Sequence, residues 1–218
     1  MTKRANSVLP RRAPADLDAA VAEVERFYAR RGLPACFQLG GSSEPASLDA
    51  ELAARGYRRI DPTLLMTAPV AGLLALPATG PQVEVGDAPT DEWMALWQRV
   101  DGRYPPDLLP RAMQIMTGVP AGYGLLRAGP AGGEAVAVGR AVVLGEWVGV
   151  YAMAVDERWR GRGYGRAVLR GLAGWAAGRG ARRAFLVVVE SNAAARRLYG
   201  GAGFTAAGRY HYRVRCAS

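Results

Sequence analysis

The run Arg160-Gly161-Arg162-Gly163-Tyr164-Gly165 has the residue types of an anion-binding turn. It follows the apolar stretch Trp147 to Val155 and precedes an amphipathic one, so a strand should feed the turn and a helix should leave it. Glycines let the backbone approach a pyrophosphate closely, and the unpaired amides at the positive end of the helix dipole then bind the charge. Alone the turn says only that a phosphate could lie near a helix start, because glycine turns also serve as plain connectors. Spacing narrows the choice. A dinucleotide fold uses Gly-x-Gly-x-x-Gly in an early βαβ unit, with an acid on the next strand. Here the spacing is Gly-x-Gly-x-Gly, and Phe185 to Val189 holds no acid. A P-loop needs Gly-Lys-Ser/Thr, which is missing. NAD and ATP are therefore disfavoured. His211 is the single histidine, which argues against a His-based metal site or a Ser-His-Asp triad. Cys36 and Cys216 lie near opposite ends with no partner spacing and read as reduced thiols, so neither a disulfide nor a metal site is expected.

The elements that must position this turn read as an alternation. Val83-Glu84-Val85 is a short strand, and Thr90 is a helix cap before Trp93, Leu96, Trp97 and Val100 at helical spacing. Beyond Tyr104-Pro105-Pro106 a second helix carries Leu108, Leu109, Met113 and Met116. Gly122 to Arg127 and Ala135 to Leu144 are strand-like, and Gly145-Glu146 marks a hairpin before the strand Trp147 to Val155. After the glycine turn, Val168, Leu169, Leu172, Trp175 and Ala176 share one helix face, closed by Gly178 and Gly180. Phe185 to Val189 is a buried-type strand, Asn192 to Tyr199 a short helix, and Phe204 with Tyr210, Tyr212 and Val214 supplies the last strands. The order β-α-α-β-β-β-α-β-α-β predicts an α/β (α+β) fold with a mixed central sheet flanked by helices on both faces.

A second constellation lies downstream of the turn: Asn192, Ala195, Leu198, Tyr199, Gly203 and Phe204. The two blocks together resemble the GNAT superfamily of N-acetyltransferases. Arg160 to Gly165 matches its Arg/Gln-x-x-Gly-x-Gly/Ala motif, and Asn192-x-x-Ala195-x-x-Leu198-Tyr199-x-x-x-Gly203-Phe204 matches its second motif at every defining position. The resemblance covers roughly Gln82 to Val214 and implies acetyl-CoA (coenzyme A) as cofactor. It implies that Met153, Ala154 and Val155 present a bulged strand edge to the pantetheine arm and the acetyl carbonyl. It further implies that Arg160, Gly161, Arg162, Gly163, Tyr164, Gly165 and Arg166 cradle the pyrophosphate, that Asn192 helps to hold the cofactor, and that Tyr199 is catalytic, beside the sulfur. The chemistry is coherent. Amine attack on a thioester builds an oxyanion that a strand amide can stabilise, and a phenol can protonate the departing thiolate. The lack of a Cys-His or Ser-His pair favours direct transfer without an acyl-enzyme. The base that deprotonates the amine stays open among Glu190, Glu146, Asp101, Asp107 and water. In ribosomal-protein alanine acetyltransferases of the superfamily a glutamate stands where this chain has Val187, so that substrate is not carried over.

The first eighty residues repeat the later ones in outline. Leu17, Val21, Val24 and Phe27 lead to Arg31-Gly32 and Phe37, as the helix after the glycine turn leads to Arg179-Gly180 and Phe185, with one offset of 148 residues. Leu48 and Leu52 then run to Gly56-Tyr57, echoing the approach to Gly203-Phe204. The glycine turn has no counterpart in Arg11-Arg12-Ala13-Pro14, so one cofactor per chain is expected. This pattern suggests a tandem GNAT form: a partial, degenerate GNAT-like unit over 1-70, a Pro/Gly/Ala-rich linker over 71-81, and the catalytic domain over 82-218. The edge of such a half-domain sheet calls for cover from the other domain or a partner chain, which makes a homodimer one expected arrangement. A strand Ala5 to Leu9 so near Met1 suggests a start further upstream.

The chain of 218 residues carries a formal charge of +9, and Lys3 is its one lysine. From Arg158 to Arg197 ten arginines face Glu190 as the local acid, a field that attracts phosphates. No aromatic-basic signature accompanies it, which disfavours nucleic acid. No apolar run is long enough for a membrane span and no signal region follows Met1, so a cytoplasmic location is expected. The leading reading is an N-acetyltransferase acting on an amine of a small molecule or peptide. A non-catalytic acyl-CoA-binding regulatory module is the alternative, and a basic nucleic-acid-binding module comes third.

Overall fold

The computed structural model describes residues 3–78, 80–102, 105–129 and 133–215. In chain order the elements are α1 (Leu17–Ala29), β1 (Ala35–Gly40), α2 (Leu48–Ala54), β2 (Arg58–Pro69), α3 (Val70–Leu74), β3 (Val83–Gly86), α4 (Asp91–Asp101), α5 (Leu109–Thr117) and β4 (Gly122–Ala128). There follow β5 (Glu134–Leu144), β6 (Trp147–Val155), α6 (Tyr164–Ala177), β7 (Arg183–Val189), α7 (Ala193–Gly201) and β8 (Thr205–Arg215). From β3 onward this is the order the sequence predicts, and the fold is mixed α/β. Two compact units divide the chain: a smaller one of residues 1–66, 187–193 and 206–218, and a larger one of residues 67–186 and 194–205.

In the larger unit the strands lie in the order β7-β6-β5-β4-β3, with β6 and β7 parallel and the other neighbours antiparallel. β5 is buried from Ala135 to Ala141, mostly apolar residues with Arg140 among them. Successive residues of a strand face opposite sides, and here both sides are covered. A Cβ on Gly139 would touch Val168 and Leu172 of α6, whereas its neighbour Val138 sits in a core with Trp93, Leu96 and Trp97 of α4 and Met116 of α5. Thr90 caps α4 by accepting from the Trp93 amide at 3.1 Å. The buried Trp93 indole N–H donates to the carbonyl of Gly124 at 3.0 Å, so this large side chain is sealed without an orphaned donor.

In the smaller unit β1 pairs antiparallel with β8, from Ala35↔Arg215 to Gly40↔Tyr210, and β8 neighbours β2. Its core joins Val21 and Tyr28 of α1, Phe37 and Leu39 of β1, Leu48 and Leu52 of α2, and Tyr57. Three local readings are corrected. The expected strand Ala5 to Leu9 reduces to a single bridge, Val8↔Phe37, because Lys3–Ala5 winds into a 3-10 turn. Phe27 is 42% exposed beneath the Arg31 guanidinium, and Tyr28 fills the core instead. The tail forms one strand, β8, rather than several.

The two helix-strand-helix-strand runs α1-β1-α2-β2 and α6-β7-α7-β8 close their helices alike. Leu33 N–H donates to Tyr28 O and Ala181 N–H to Ala176 O, past left-handed Gly32 and Gly180. Tyr57 N–H donates to Leu52 O and Phe204 N–H to Tyr199 O, past left-handed Gly56 and Gly203. A glycine adopts that positive φ without the Cβ penalty, which is why it stands at each of these helix ends.

Gly139 is a tight point of the larger core: an added Cβ would lie 2.6 Å from Met153 Sδ and 2.8 Å from Val168 Cγ1. Gly139→Val should cost about 1–3 kcal/mol through overpacking. Urea unfolding should show a lower midpoint at unchanged slope, and an unchanged midpoint would contradict the packing described.

Candidate functional site

β5 and β6 keep register from Leu144↔Trp147 to Arg140↔Tyr151 and resume it at Val138↔Ala154. Gly139 of β5 thus opposes two residues of β6, Ala152 and Met153, in a β-bulge. Ala152 has φ 49°, a left-handed conformation that costs a residue with a side chain roughly 1 kcal/mol. Gly139 leaves the space that Met153 fills on the α6 side. The bulge begins one residue before the expected Met153, Ala154 and Val155. Ala154 is buried toward α4, while Met153 and Val155 are half-buried. The ladder from β6 to β7 runs from Trp147↔Arg183 to Gly149↔Phe185, and β6 continues over residues 150–155 past its end.

From Val155 the chain passes through a 3-10 turn, Glu157–Trp159, into the glycine turn. Gly161 and Gly163 have φ of 79° and 82°, so the left-handed geometry explains both glycines. Gly163 is the N-cap of α6, and no side chain caps that helix. The Arg166 amide donates to Gly163 O at 3.0 Å, and the amides of Tyr164 and Gly165 precede it at the positive end of the helix dipole. Gly165 has a different reason: a Cβ there would lie 2.9 Å from Leu198 Cδ2, so α6 and α7 approach closely at this point. The Arg162 guanidinium stacks over Trp159 at 4.7 Å, and Arg160 Nε donates to the Val155 carbonyl at 3.3 Å. Arg166 is exposed on α6 beside Gly201.

Tyr199, on α7, is 9% exposed and sits edge-on to Phe204 with ring centroids 5.9 Å apart. Burial pushes its phenol up to about 12, so the hydroxyl keeps its proton throughout the physiological range. Asn192 is exposed and directly precedes α7, with its N–H donating to Val189 O. It belongs to the smaller unit, whereas the turn, the bulge and Tyr199 belong to the larger.

The four candidate acids are scattered. Glu146 is exposed in the hairpin ahead of β6, at the opposite end of that strand from the bulge. Asp101 ends α4, and Asp107 is exposed in a 3-10 turn before α5. Glu190 lines a cavity of about 390 Å³ in the smaller unit, together with Asp49, Arg59, Arg209 and His211. There His211 Nε2 lies 2.9 Å from Asp49 Oδ1, and Arg213 beside it holds the Asp49 carboxyl below the usual carboxylate range.

Two further residues beside the bulge were not singled out from the sequence. Asp156, 6% exposed at the end of β6, accepts from the Arg158 amide and guanidinium and from Arg99. The Arg158 contacts, foremost, pull its carboxyl down to about 2. Arg140, opposite Tyr151 in the ladder, is an arginine 8% exposed within a strand that is otherwise apolar along its buried length. Its presence inside the run Ala135 to Val143 was the available signal.

A family model described as "Probable histone acetyltransferase Rv0428c C-terminal" matches residues 1–216, through both units. The chain belongs to the GNAT-type N-acetyltransferases. A GNAT relative, the "Uncharacterized N-acetyltransferase YobR" of Bacillus subtilis, is 30% identical over 217 residues, covering 99% of this chain and 86% of its own. Two solved GNAT structures share the fold. A GCN5-related N-acetyltransferase from Kribbella flavida has a TM-score of 0.69 at 17% identity, covering 94% of this chain and 77% of that one. A tandem GNAT protein from the clavulanic acid biosynthesis pathway has a TM-score of 0.72 at 15% identity, covering 91% and 69%. Among the described residues no helix is long and apolar enough to cross a membrane.

The Asp156 contacts give a pH-dependent stability. Its folded carboxyl titrates below its ordinary 3.8, so the stabilisation is complete above that value and is lost as pH falls toward about 2. Asp156→Ala should cost about 2 kcal/mol at neutral pH, the scale of buried charge-assisted hydrogen bonds. The gap between mutant and wild type in thermal unfolding should close on acidification, and a gap that widens instead would contradict the assignment.

Proposed function

We propose that this GNAT protein transfers an acetyl group from acetyl-CoA directly to a primary amine of a small-molecule or peptide acceptor. The observation that carries the reading is the bulge at Ala152–Met153, joined through the Glu157–Trp159 turn to the start of α6, which has no side-chain cap.

The fit to coenzyme A rests on this chain's own groups. Left-handed Gly161 and Gly163 open the start of α6, whose amides and dipole suit a pyrophosphate. Arg160, Arg162 and Arg166 supply positive charge around Tyr164 and Gly165, and the β6 edge of Met153, Ala154 and Val155 offers strand amides to an extended arm. For Asn192 the assignment rests on the sequence pattern alone. Acetyl-CoA when bound supplies the activated thioester. Amides at the bulge are placed on a strand, so they can donate to a carbonyl oxygen without reorganising. Tyr199 is best cast as a hydrogen-bond donor that stabilises a thiolate. With its phenol at about 12 and a thiol near 8.5, complete proton transfer would be uphill by roughly 5 kcal/mol. No one acid among Glu190, Glu146, Asp101 and Asp107 is singled out as base, and water serves equally. Direct transfer to a bound amine requires no acyl-enzyme.

Calorimetric titration tests the cofactor site. Wild-type protein should bind acetyl-CoA, and Gly163→Trp should weaken binding at least about tenfold by blocking the first-turn amides. Unchanged affinity in that variant would remove the site assignment. Tyr199→Phe should lower kcat on the order of 100-fold while leaving acetyl-CoA affinity intact. If acetyl-CoA binds but no amine stimulates release of free CoA, the non-catalytic acyl-CoA-binding reading replaces this one.

A further inference from the structure

Arg140 is the most conspicuous unassigned group in the larger unit. It lies in the middle of β5, is 8% exposed, and has Nε and Nη2 buried with no hydrogen-bond partner. Those two nitrogens form one edge of the guanidinium, where two N–H bonds point the same way. That parallel pair is the geometry that grips a carboxylate through both oxygens. The recorded neighbours of the cation are aromatic faces: its Cζ lies 5.8 Å from the Tyr123 ring centroid and 5.9 Å from that of Tyr151. Such faces soften the charge but accept no N–H in the guanidinium plane. A buried cation without an acceptor destabilises a fold, so its retention in an apolar strand points to a ligand.

Position says which ligand. Arg140 pairs directly with Tyr151, the residue before the left-handed Ala152 of the bulge. Neighbouring strands lie roughly 5 Å apart, so the guanidinium starts one strand from the proposed transfer edge. Alternation along β5 places Arg140 on the face opposite Gly139, the face covered by α4 and α5, away from α6 and the glycine turn. The pyrophosphate is therefore not its partner. Gly149 contributes to the arrangement, since the Tyr151 ring lies over it in the space that a Cβ would take.

We propose that Arg140 binds a carboxylate of the acyl acceptor, so that the amine substrate is an amino acid or a similarly carboxylated amine. This rests on the reading of β6 as the acyl-transfer edge. A carboxylate gripped by Arg140 holds the nearby amine toward the bulge and discriminates against acceptors that lack the acid, because the fork then stays unpaired.

The test compares wild type, Arg140→Met and Arg140→Lys on the proteinogenic amino acids, each beside its carboxamide, with release of free CoA as readout. At least one amino acid should be accepted tenfold or more better than its amide in kcat/KM. Arg140→Met should abolish that preference, raising KM for the acid on the order of 100-fold. Arg140→Lys, which keeps the charge and loses the fork, should fall between. Acetyl-CoA affinity should stay within about twofold, and the melting temperature of Arg140→Met should equal or exceed that of wild type, since a buried unpaired charge is removed. A structural role would lower it. Four results would overturn the proposal: amides accepted as well as acids, a preference that survives in Arg140→Met, neither set accepted while acetyl-CoA still binds, or a preference for succinyl-CoA over acetyl-CoA that Arg140→Met removes. Loss of acetyl-CoA binding in the wild type would instead strike the underlying transferase reading.

Discussion

The mismatch between β5 and β6 is the constraint on which the rest of the larger unit depends. Two residues of β6 must fit against one of β5, and the surplus is absorbed by turning Ala152 into the left-handed region. That choice sends Met153 toward α6 and is possible because Gly139 has no side chain to meet it. It also returns Ala154 to the core beneath α4. The strand then ends at Asp156, whose carboxylate gathers Arg158 and Arg99 and fixes the start of the turn that delivers Gly161 and Gly163. Backbone strain, close packing and the ion pairs of a buried carboxylate thus act in sequence from Ala152 to Gly163. The catalytic reading rests on that continuity more than on any single side chain.

Much of this was legible in the sequence. Periodicity and turn chemistry gave every element from β3 onward in order, and Thr90 as a cap, because those signals are local. Gly-x-Gly-x-Gly marked the turn ahead of α6, and the structure separates its glycines: Gly161 and Gly163 answer to φ, Gly165 to the closeness of Leu198. The bulge position was not legible, since Tyr151-Ala152-Met153 contains no glycine to mark a left-handed residue. Nor were the partners of Asp156, because Arg99 is 57 residues away. Arg140 was passed over because a run of apolar neighbours made its strand look purely structural.

The N-terminal residues illustrate a different limit. Their repeat relationship is audible in the offset of 148 residues, and the structure repeats not only the succession of elements but the hydrogen bonds that close the helices. What no local pattern conveys is that β1 takes its partner from the far end of the chain, Ala35 facing Arg215. The family match through residues 1–216 treats the whole chain as one inherited piece. Arg11-Arg12-Ala13-Pro14 ahead of α1 contains no Gly-x-Gly turn, and the smaller unit holds a cavity beside the His211–Asp49 pair.

A crystal structure with coenzyme A bound tests the central claim most directly. The account predicts the pyrophosphate within hydrogen-bond distance of amides in residues 161–166, with the pantetheine arm running along β6 and its sulfur end beside Ala152 and Met153. Coenzyme A seated in the cavity beside Asp49 and His211, or a pyrophosphate remote from the start of α6, would contradict it.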